Sequence, residues 1–407
     1  MTDLAPSLPS HCFQWHPDAR AFAADAEVFP SPRPDHPRVI APHPPKSALQ
    51  NIAAALAANT PFCVTDQAVH DMAALGPTQF ATLTGGTSGP PKVIQRSQAS
   101  WIASFYANAA QFAYEQSDSI AVLGGLGHSL TLYGLLEGLH LGRDVHVLTS
   151  LAPAVQATQI HTHRCSIIYA TPTQLRVLPP STQLPDVRLI LCGGGALNRT
   201  TRQHIATLCP NAALHVFYGA AETSFVTLGG PDTPQGSVGR AYPNVRIDIR
   251  EPDVAGIGTV WINSPYLSEG YLQGHSPHTQ RDGHWITVGE QGRLDAHGNL
   301  FLEGRAGRAV TIADDTIHLD ALEAQLADMP DMPHFVLMPR ADKLRGHHLV
   351  AVIEGDAQPA LASKINSYCT TNGLHPPRDI TFLEQLPLLP SGKPDLHRIA
   401  SQTGTSA

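Results

Sequence analysis

Apolar and polar positions alternate along this chain in two textures, and their order predicts an α/β protein. A predicted helix from Gln98 to Tyr114 carries Trp101, Phe105 and Phe112 on one side, and the apolar run Ser119 to Leu123 follows it. A second helix near Ser129 to His140 leads to Val145–Leu148, and a further helical stretch leads to Ser166–Tyr169. Arg188–Leu191 and Leu214–Phe217 complete the series. Short runs rich in β-branched residues, separated by helices, imply a largely parallel sheet covered on both faces. Ligands of such sheets collect beyond the carboxyl ends of the strands.

From Gly236 the pattern changes to short strands between Gly and Pro turns, with runs at Val245–Ile249 and Gly258–Ile262. Beyond Arg308, the segments Val310–Ile312, Ile317–Leu326 and His334–Met338 predict a small α+β unit. Upstream, residues 1–47 are rich in Pro, His and Ala with little periodicity, and are expected to form an irregular arm on the body. Ala48–Ala58 reads as a helix and Pro61–Thr65 as a short strand. The expected organisation is therefore an arm (1–47), a large α/β domain (48–306) with a β subdomain at about 236–304, and a small α+β C-terminal domain (307–407).

Composition narrows the function classes. The chain has 407 residues, 42% hydrophobic and 15% charged, enough for two or more domains with a substantial core. No apolar run is long enough to span a bilayer, and Met1 to Gln14 lacks the basic-then-apolar order of a secretory signal, so a cytoplasmic location is expected. Six cysteines without a CxxC pair fit a reducing compartment and buried apolar roles. A net charge of −8 with no basic cluster argues against nucleic acid or anionic membrane as partners. The pairs His161/His163 and His347/His348 lack a third ligand at motif spacing, so no structural metal site is expected from them.

Candidate chemistry begins at Ala81–Ser97. Thr84-Gly85-Gly86-Thr87-Ser88-Gly89 sets three glycines among three hydroxyls, a loop able to turn backbone N–H groups toward a polyphosphate. Lys92 adds a cation behind Pro90 and Pro91. A Walker A loop needs Gly-Lys-Ser/Thr entering a helix, and here Lys92 lies between Pro91 and Val93, so a P-loop NTPase fails on spacing.

The stretch resembles the phosphate-binding signature T-S-G-[ST]-T-G-x-P-K-G of the adenylate-forming superfamily, which includes acyl-CoA synthetases, aryl-CoA ligases, adenylation domains and luciferases. Gly85 replaces the family's Ser and Val93 its last Gly. Further blocks follow in order: Cys192–Ala196 after a strand, Tyr218-Gly219-Ala220-Ala221-Glu222, Gly239 with Pro243, Ser264-Pro265 to Gly270-Tyr271, Trp285–Asp295, Arg305, and Pro390-Ser391-Gly392-Lys393. The likeness runs from about Thr82 to the C-terminus, with fewer residues before the phosphate loop than most relatives have.

That resemblance implies roles for individual residues. Gly194, Gly195, Ala196, Tyr218 and Gly219 would line the adenine, with Glu290 and Arg305 on the ribose. Glu222 would hold Mg2+ against ATP phosphates, with Ala221 where a threonine is usual, so that one phosphate-side hydroxyl is either missing or partly replaced by Thr223. Glu290 is one methylene longer than the family's aspartate. His128, Gly195 and Ala220 would face the acyl group, His128 alternatively packing the helix start. Because His128 stands where amino-acid-activating domains carry an aspartate, an uncharged aryl or fatty acid is expected. Gly307 would be the hinge of a mobile C-terminal domain that brings the catalytic Lys393 to the α-phosphate.

The implied reaction joins a carboxylate to MgATP, giving an acyl-adenylate and pyrophosphate, and a thiol then displaces AMP. Coenzyme A is the expected thiol. Open alternatives are the phosphopantetheine of an acyl carrier protein, a non-thiol acceptor should Asp314-Asp315 block the thiol tunnel, and a nucleotide-binding module that has lost catalysis.

Overall fold

The computed structural model describes residues 11–30, 36–84, 92–195, 197–305, 308–313, 315–389 and 393–406. Gly85, Gly86, Thr87, Ser88, Gly89, Ala196, Gly307, Asp314, Ser391 and Gly392 therefore lie outside the described residues.

Six parallel strands form the body of the largest sheet, in the spatial order Ala21–Ala23, Asp144–Val147, Ser119–Val122, Ile167–Ala170, Leu189–Gly193 and Ala213–Ala220. All five runs expected as strands are in it, each within about three residues of its expected limits. The helices between them are fixed locally by their caps. Ser97 accepts a hydrogen bond from the Ser100 backbone N–H at the start of Gln98–Gln111, and Asn198 does the same for Arg199–Leu208 from Thr201. Apolar clusters on the two faces of the sheet, one centred on Trp101, Phe105, Leu135 and Tyr169 and the other on Ile168, Ile190 and Leu208, supply its core.

The strand Ser119–Val122 lies between the strand that follows it in the chain and the next one after that. The winding direction reverses there, which opens a crevice at the carboxyl ends of these strands. The loops carrying His128, Gly193–Gly195 and Glu222 all leave from that end.

After Ala213–Ala220 the sheet turns antiparallel through Ser224–Gly229, Ser237–Ala241, Asn299–Arg305 and Glu290–Leu294, the β-rich texture expected from residue 236 onward. A separate five-stranded sheet holds Val93–Ser97 between Gln79–Leu83 and Gly270–Gln273. The C-terminal residues form a hairpin (Ala309–Ile312 with Asp315–His318), the helices Leu319–Leu326, Pro359–Asn372 and Leu396–Thr403, and a three-stranded sheet. They are packed on apolar clusters of their own, which include Leu326, Leu337, Ile353, Ile365 and Ile399.

The N-terminal arm is more regular than its composition implies. Ala21–Ala23 extends the parallel sheet, Ala26–Val28 pairs back on it, and Val39–Ile40 edges the five-stranded sheet. Phe13 is buried edge-on to Phe80, with ring centroids 5.0 Å apart, and its backbone N–H donates to Gln98 Oε1 at 2.6 Å. Strands of two or three residues carry no detectable period, so only their partners in the body reveal them.

Among the described residues, no group of three His, Cys, Asp or Glu side chains could hold a metal, and no helix is long and apolar enough to cross a membrane. Burial pushes the thiols of Cys63, Cys165, Cys192 and Cys209 up to about 12.

One buried carboxyl gives the body a pH dependence. Glu137 is fully buried, accepting hydrogen bonds from Asn108 at 2.8 Å, Tyr169 at 2.5 Å and Tyr114 at 3.1 Å, and burial raises it from 4.5 to about 7. The folded chain therefore holds this proton more tightly than the unfolded one. Its stabilising contribution is complete below the unfolded value and is lost as pH rises toward about 7. Thermal melts from pH 4 to pH 8 check this: part of the wild-type decline in Tm across that range should be absent from Glu137→Gln.

Candidate active site

The strands Gln79–Leu83 and Val93–Ser97 pair antiparallel and deliver the two ends of the loop that the family resemblance assigns to phosphate side by side. Thr84 N–H donates to Lys92 O at 2.9 Å and Lys92 N–H to Thr84 Oγ1 at 3.0 Å, closing the loop at its neck. His128 is brought to the same place. Leu83 and His128 form a parallel bridge, and Ser129 Oγ donates to Leu83 O at 2.9 Å while sharing a 2.7 Å hydrogen bond with Thr82 Oγ1. His128 is the N-cap residue of Ser129–Leu141, so the position that the family resemblance assigns to the acyl group adjoins the loop assigned to phosphate.

On the neighbouring strand ends, Gly194 has φ +87°, a left-handed conformation that favours glycine. Gly193 is packed directly under an aromatic ring: a Cβ there would lie 2.2 Å from the Phe217 ring. Tyr218 and Gly219 follow. A Cβ on Gly219 would come within 1.9 Å of Ser224 O, so the hairpin that carries Glu222 closes only on glycine.

Glu222 is held at both ends. Its backbone carbonyl accepts from Ser268 N–H at 2.8 Å, and its carboxylate Oε1 accepts from Tyr271 OH at 2.7 Å. One carboxylate oxygen is thereby oriented, the usual way in which a hard-cation ligand is positioned. Thr223 does not replace the missing hydroxyl at Ala221. It is fully buried, and its Oγ1 accepts from the Ala220 backbone N–H at 3.0 Å inside the turn.

Glu290 and Arg305 stand directly opposite each other on paired strands, with Arg305 Nε donating to Glu290 Oε1 at 2.9 Å. Glu290 is buried in this ion pair. Burial lowers the Arg305 guanidinium, yet Glu290, Asp320 and Tyr218 together leave it above its ordinary value. Tyr218 belongs to the same group: burial first, then the Glu290 charge, pushes its phenol well up.

Lys393 completes the cluster from the far end of the chain. Its loop is closed at the neck by Leu389 N–H donating to Lys393 O at 2.8 Å and by the Leu388–Pro394 bridge. Burial and the Arg305 charge lower its ammonium to about 8, opposed by Glu290, Asp320 and Glu222. Side chains separated by up to 171 residues thus act on one ammonium, Glu290, Asp320 and Glu222 favouring its charged form and Arg305 opposing it. Asp320, at the start of Leu319–Leu326 and 3.2 Å from Arg308, has no sequence signature and joins the site only through the fold.

A pH profile follows. The ammonium is lost as pH rises through about 8, so kcat/KM for ATP, which reports the free enzyme, should fall above that pH. Bound phosphates favour the charged form, so the alkaline limb of kcat should lie at higher pH. Steady-state rates from pH 6 to pH 10 check both limbs.

A family model of AMP-binding enzymes matches residues 23–272. The chain belongs to this AMP-binding enzyme family. That match takes in the Thr84–Lys92 neck, His128 and the Glu222 hairpin, and ends before Glu290, Arg305 and Lys393. Among similar proteins is YhfT of Bacillus subtilis, named an uncharacterised acyl-CoA ligase, 28% identical over 82% of this chain and 72% of its own length. The 2-succinylbenzoate–CoA ligase of Lactococcus lactis is 28% identical over 69% of this chain and 61% of its own. Among solved structures, o-succinylbenzoate CoA synthetase from B. subtilis, bound to its acyl-adenylate, superposes with a TM-score of 0.67 at 21% identity over 79% of this chain and 68% of that one. ATP-bound MatB from Rhodopseudomonas palustris gives 0.69 at 18% identity over 90% of this chain and 79% of that one. The adenylate-forming fold expected from the motifs is thus the observed one.

Proposed function

We propose that this AMP-binding enzyme activates a carboxylic acid with ATP, releasing pyrophosphate, and transfers the acyl group from the resulting adenylate to coenzyme A. The observation that carries this reading is the match of residues 23–272 to the AMP-binding enzyme family, and the Arg305–Glu290 pair at 2.9 Å and the Glu222 carboxylate held by Tyr271 at 2.7 Å agree with it. A carboxylate and a polyphosphate repel each other, and a positioned ammonium between them offsets that repulsion as charge builds on the α-phosphate. Glu290 and Arg305 orient the ribose beside Tyr218. The neck at Thr84 and Lys92 orients the polyphosphate.

Glu222 fits a magnesium ligand, being a carboxylate with one oxygen already held by Tyr271. Bound there with ATP, Mg2+ would neutralise phosphate charge and favour departure of pyrophosphate. The hinge is assigned to Gly307, on the family resemblance. The boundary of the C-terminal domain goes with it.

Coenzyme A as acceptor is favoured by the names of the relatives, several of which are acyl-CoA ligases. Asp315 opens the strand Asp315–His318 and contributes to a hairpin. Incubating acid, ATP and either coenzyme A or a phosphopantetheinylated carrier protein, with thioester detection by mass spectrometry, tests the acceptor. Thioester on coenzyme A is the expected product; thioester on the carrier alone would make the chain an acyl carrier protein ligase.

The Phe217 ring restricts the acid. It covers Gly193 and lies 4.5 Å from Phe225, which is packed in turn against Tyr133 at 5.1 Å. Aromatic rings so back Gly193, with Thr171 and Pro172 facing Gly194 and Gly195, and this favours a compact aryl or short-chain acid over a long acyl chain. Phe217→Ala should shift the chain-length optimum upward and raise kcat/KM for an acid longer by several methylenes by about 10-fold or more. A panel of aryl, short-chain and long-chain acids assayed for pyrophosphate release measures this.

A further inference from the structure

Arg96 is a fully buried guanidinium on Val93–Ser97, the strand that leaves the phosphate loop. No carboxylate lies within 4.0 Å of it among the described residues. It donates instead to the hairpin on either side of Glu222: Nη1 to Ala221 O at 2.5 Å and Nη2 to Ser224 Oγ at 2.7 Å. Nη2 also donates to the Tyr266 carbonyl, two residues from Ser268, whose N–H holds the Glu222 carbonyl. Trp101 flanks the group from the following helix, its ring centroid 5.7 Å from the guanidinium carbon and its Nε1 donating to the same Ser224 Oγ at 3.2 Å.

The turn so held is a demanding one. Ser224 has φ +56°, and the pairing of Ala213–Ala220 with Ser224–Gly229 shifts register between Tyr218 and Gly219. A hairpin with a left-handed serine needs an outside fixture to keep one geometry. Burial lowers the Arg96 guanidinium to about 9, and Glu222 and Glu269 act against that, so its charge is felt at the carboxylate without a contact.

We infer that Arg96 is a positioning residue that locks the Glu222 hairpin to the phosphate-loop strand and so sets the distance between the metal carboxylate and the polyphosphate. This inference rests on the reading of Glu222 as the magnesium ligand. Burying a charge is costly unless its donors find acceptors; both Nη groups find theirs on the two segments that frame Glu222, while the buried Nε has none among the described residues. A lysine offers one nitrogen in place of a planar fork, so it keeps the charge and loses the simultaneous bonds.

The test uses the full chain and acid-dependent ATP–pyrophosphate exchange, with Mg2+ varied at fixed ATP, in wild type, Arg96→Lys, Glu222→Gln and the double variant. Arg96→Lys is expected to raise the half-saturating Mg2+ concentration by about 10-fold or more, as loss of a group orienting a metal ligand does. The KM for the acid should stay roughly unchanged, and the double variant should be no worse than Glu222→Gln alone. Melting temperatures are recorded for all four, and Trp101→Phe, which spares Arg96 and removes one donor to Ser224, serves should Arg96→Lys fold poorly. It should raise the Mg2+ requirement in the same direction by a smaller factor. A lower Tm with an unchanged Mg2+ requirement in Arg96→Lys, or in Trp101→Phe as its substitute, would overturn the inference while leaving the Glu222 reading intact. An unchanged Mg2+ requirement in Glu222→Gln would remove that reading itself, and the inference with it.

Discussion

Lys393→Ala is expected to lower acid-dependent ATP–pyrophosphate exchange by about 10²-fold or more, the usual loss when a positioned transition-state donor is removed. The ammonium sits in the field of Arg305, Glu290, Asp320 and Glu222, and the methyl group of alanine leaves the developing charge on the α-phosphate without its partner. ATP affinity should change far less, because the ammonium matters most where charge is transferred. The alkaline limb of kcat/KM assigned to this group should disappear from the residual activity. Supplied with preformed acyl-adenylate and coenzyme A, the variant should still make thioester at a rate much closer to wild type. That split between half-reactions separates a catalytic lysine from one that only docks the C-terminal segment.

Glu222→Gln should cost about as much, roughly 10²-fold in exchange, through loss of the carboxylate charge that a hard cation prefers. The amide keeps the shape and retains an oxygen able to accept from Tyr271, so the hairpin should survive and Tm should move little. Raising Mg2+ should recover part of the rate, and Tyr271→Phe should show the same dependence more weakly. Exchange kinetics across a Mg2+ series, with thermal melts alongside, check both variants. An effect on Tm equal to the effect on rate would place Glu222 in the scaffold and not at the metal.

The sheet was legible from the sequence because its strands are buried on both faces. Ile167–Ala170 and Leu189–Gly193 are continuous apolar runs between helices, a pattern that burial alone produces. The edges were not legible for the opposite reason: Ala21–Ala23 and Ala26–Val28 are too short to carry a period, and the partners that make them strands come from elsewhere. In the site, Thr84, Glu222, Glu290, Arg305 and Lys393 were singled out by their family-like blocks, whether in a turn, as Glu222 is, or on paired strands, as Glu290 and Arg305 are. Arg96 and Asp320 were not. A single arginine in a strand and a single aspartate opening a helix carry no local signal, and only the fold sets one under the Glu222 hairpin and the other beside Arg305 and Lys393. Of the two alternatives left open at Ala221, a missing hydroxyl fits the turn better than a replacement by Thr223, whose oxygen accepts from the Ala220 N–H.

The most direct test of the central claim is a search for acyl-adenylate itself. Purified protein, MgATP and a panel of compact aryl and short-chain acids, without any thiol, would be followed by isotope exchange between pyrophosphate and ATP and by mass spectrometry of the products. The expected result is exchange that requires both the acid and Mg2+, together with an acyl-AMP mass for at least one acid. Tight ATP binding with neither exchange nor adenylate from any acid would contradict it, and would leave a nucleotide-binding module in place of an enzyme.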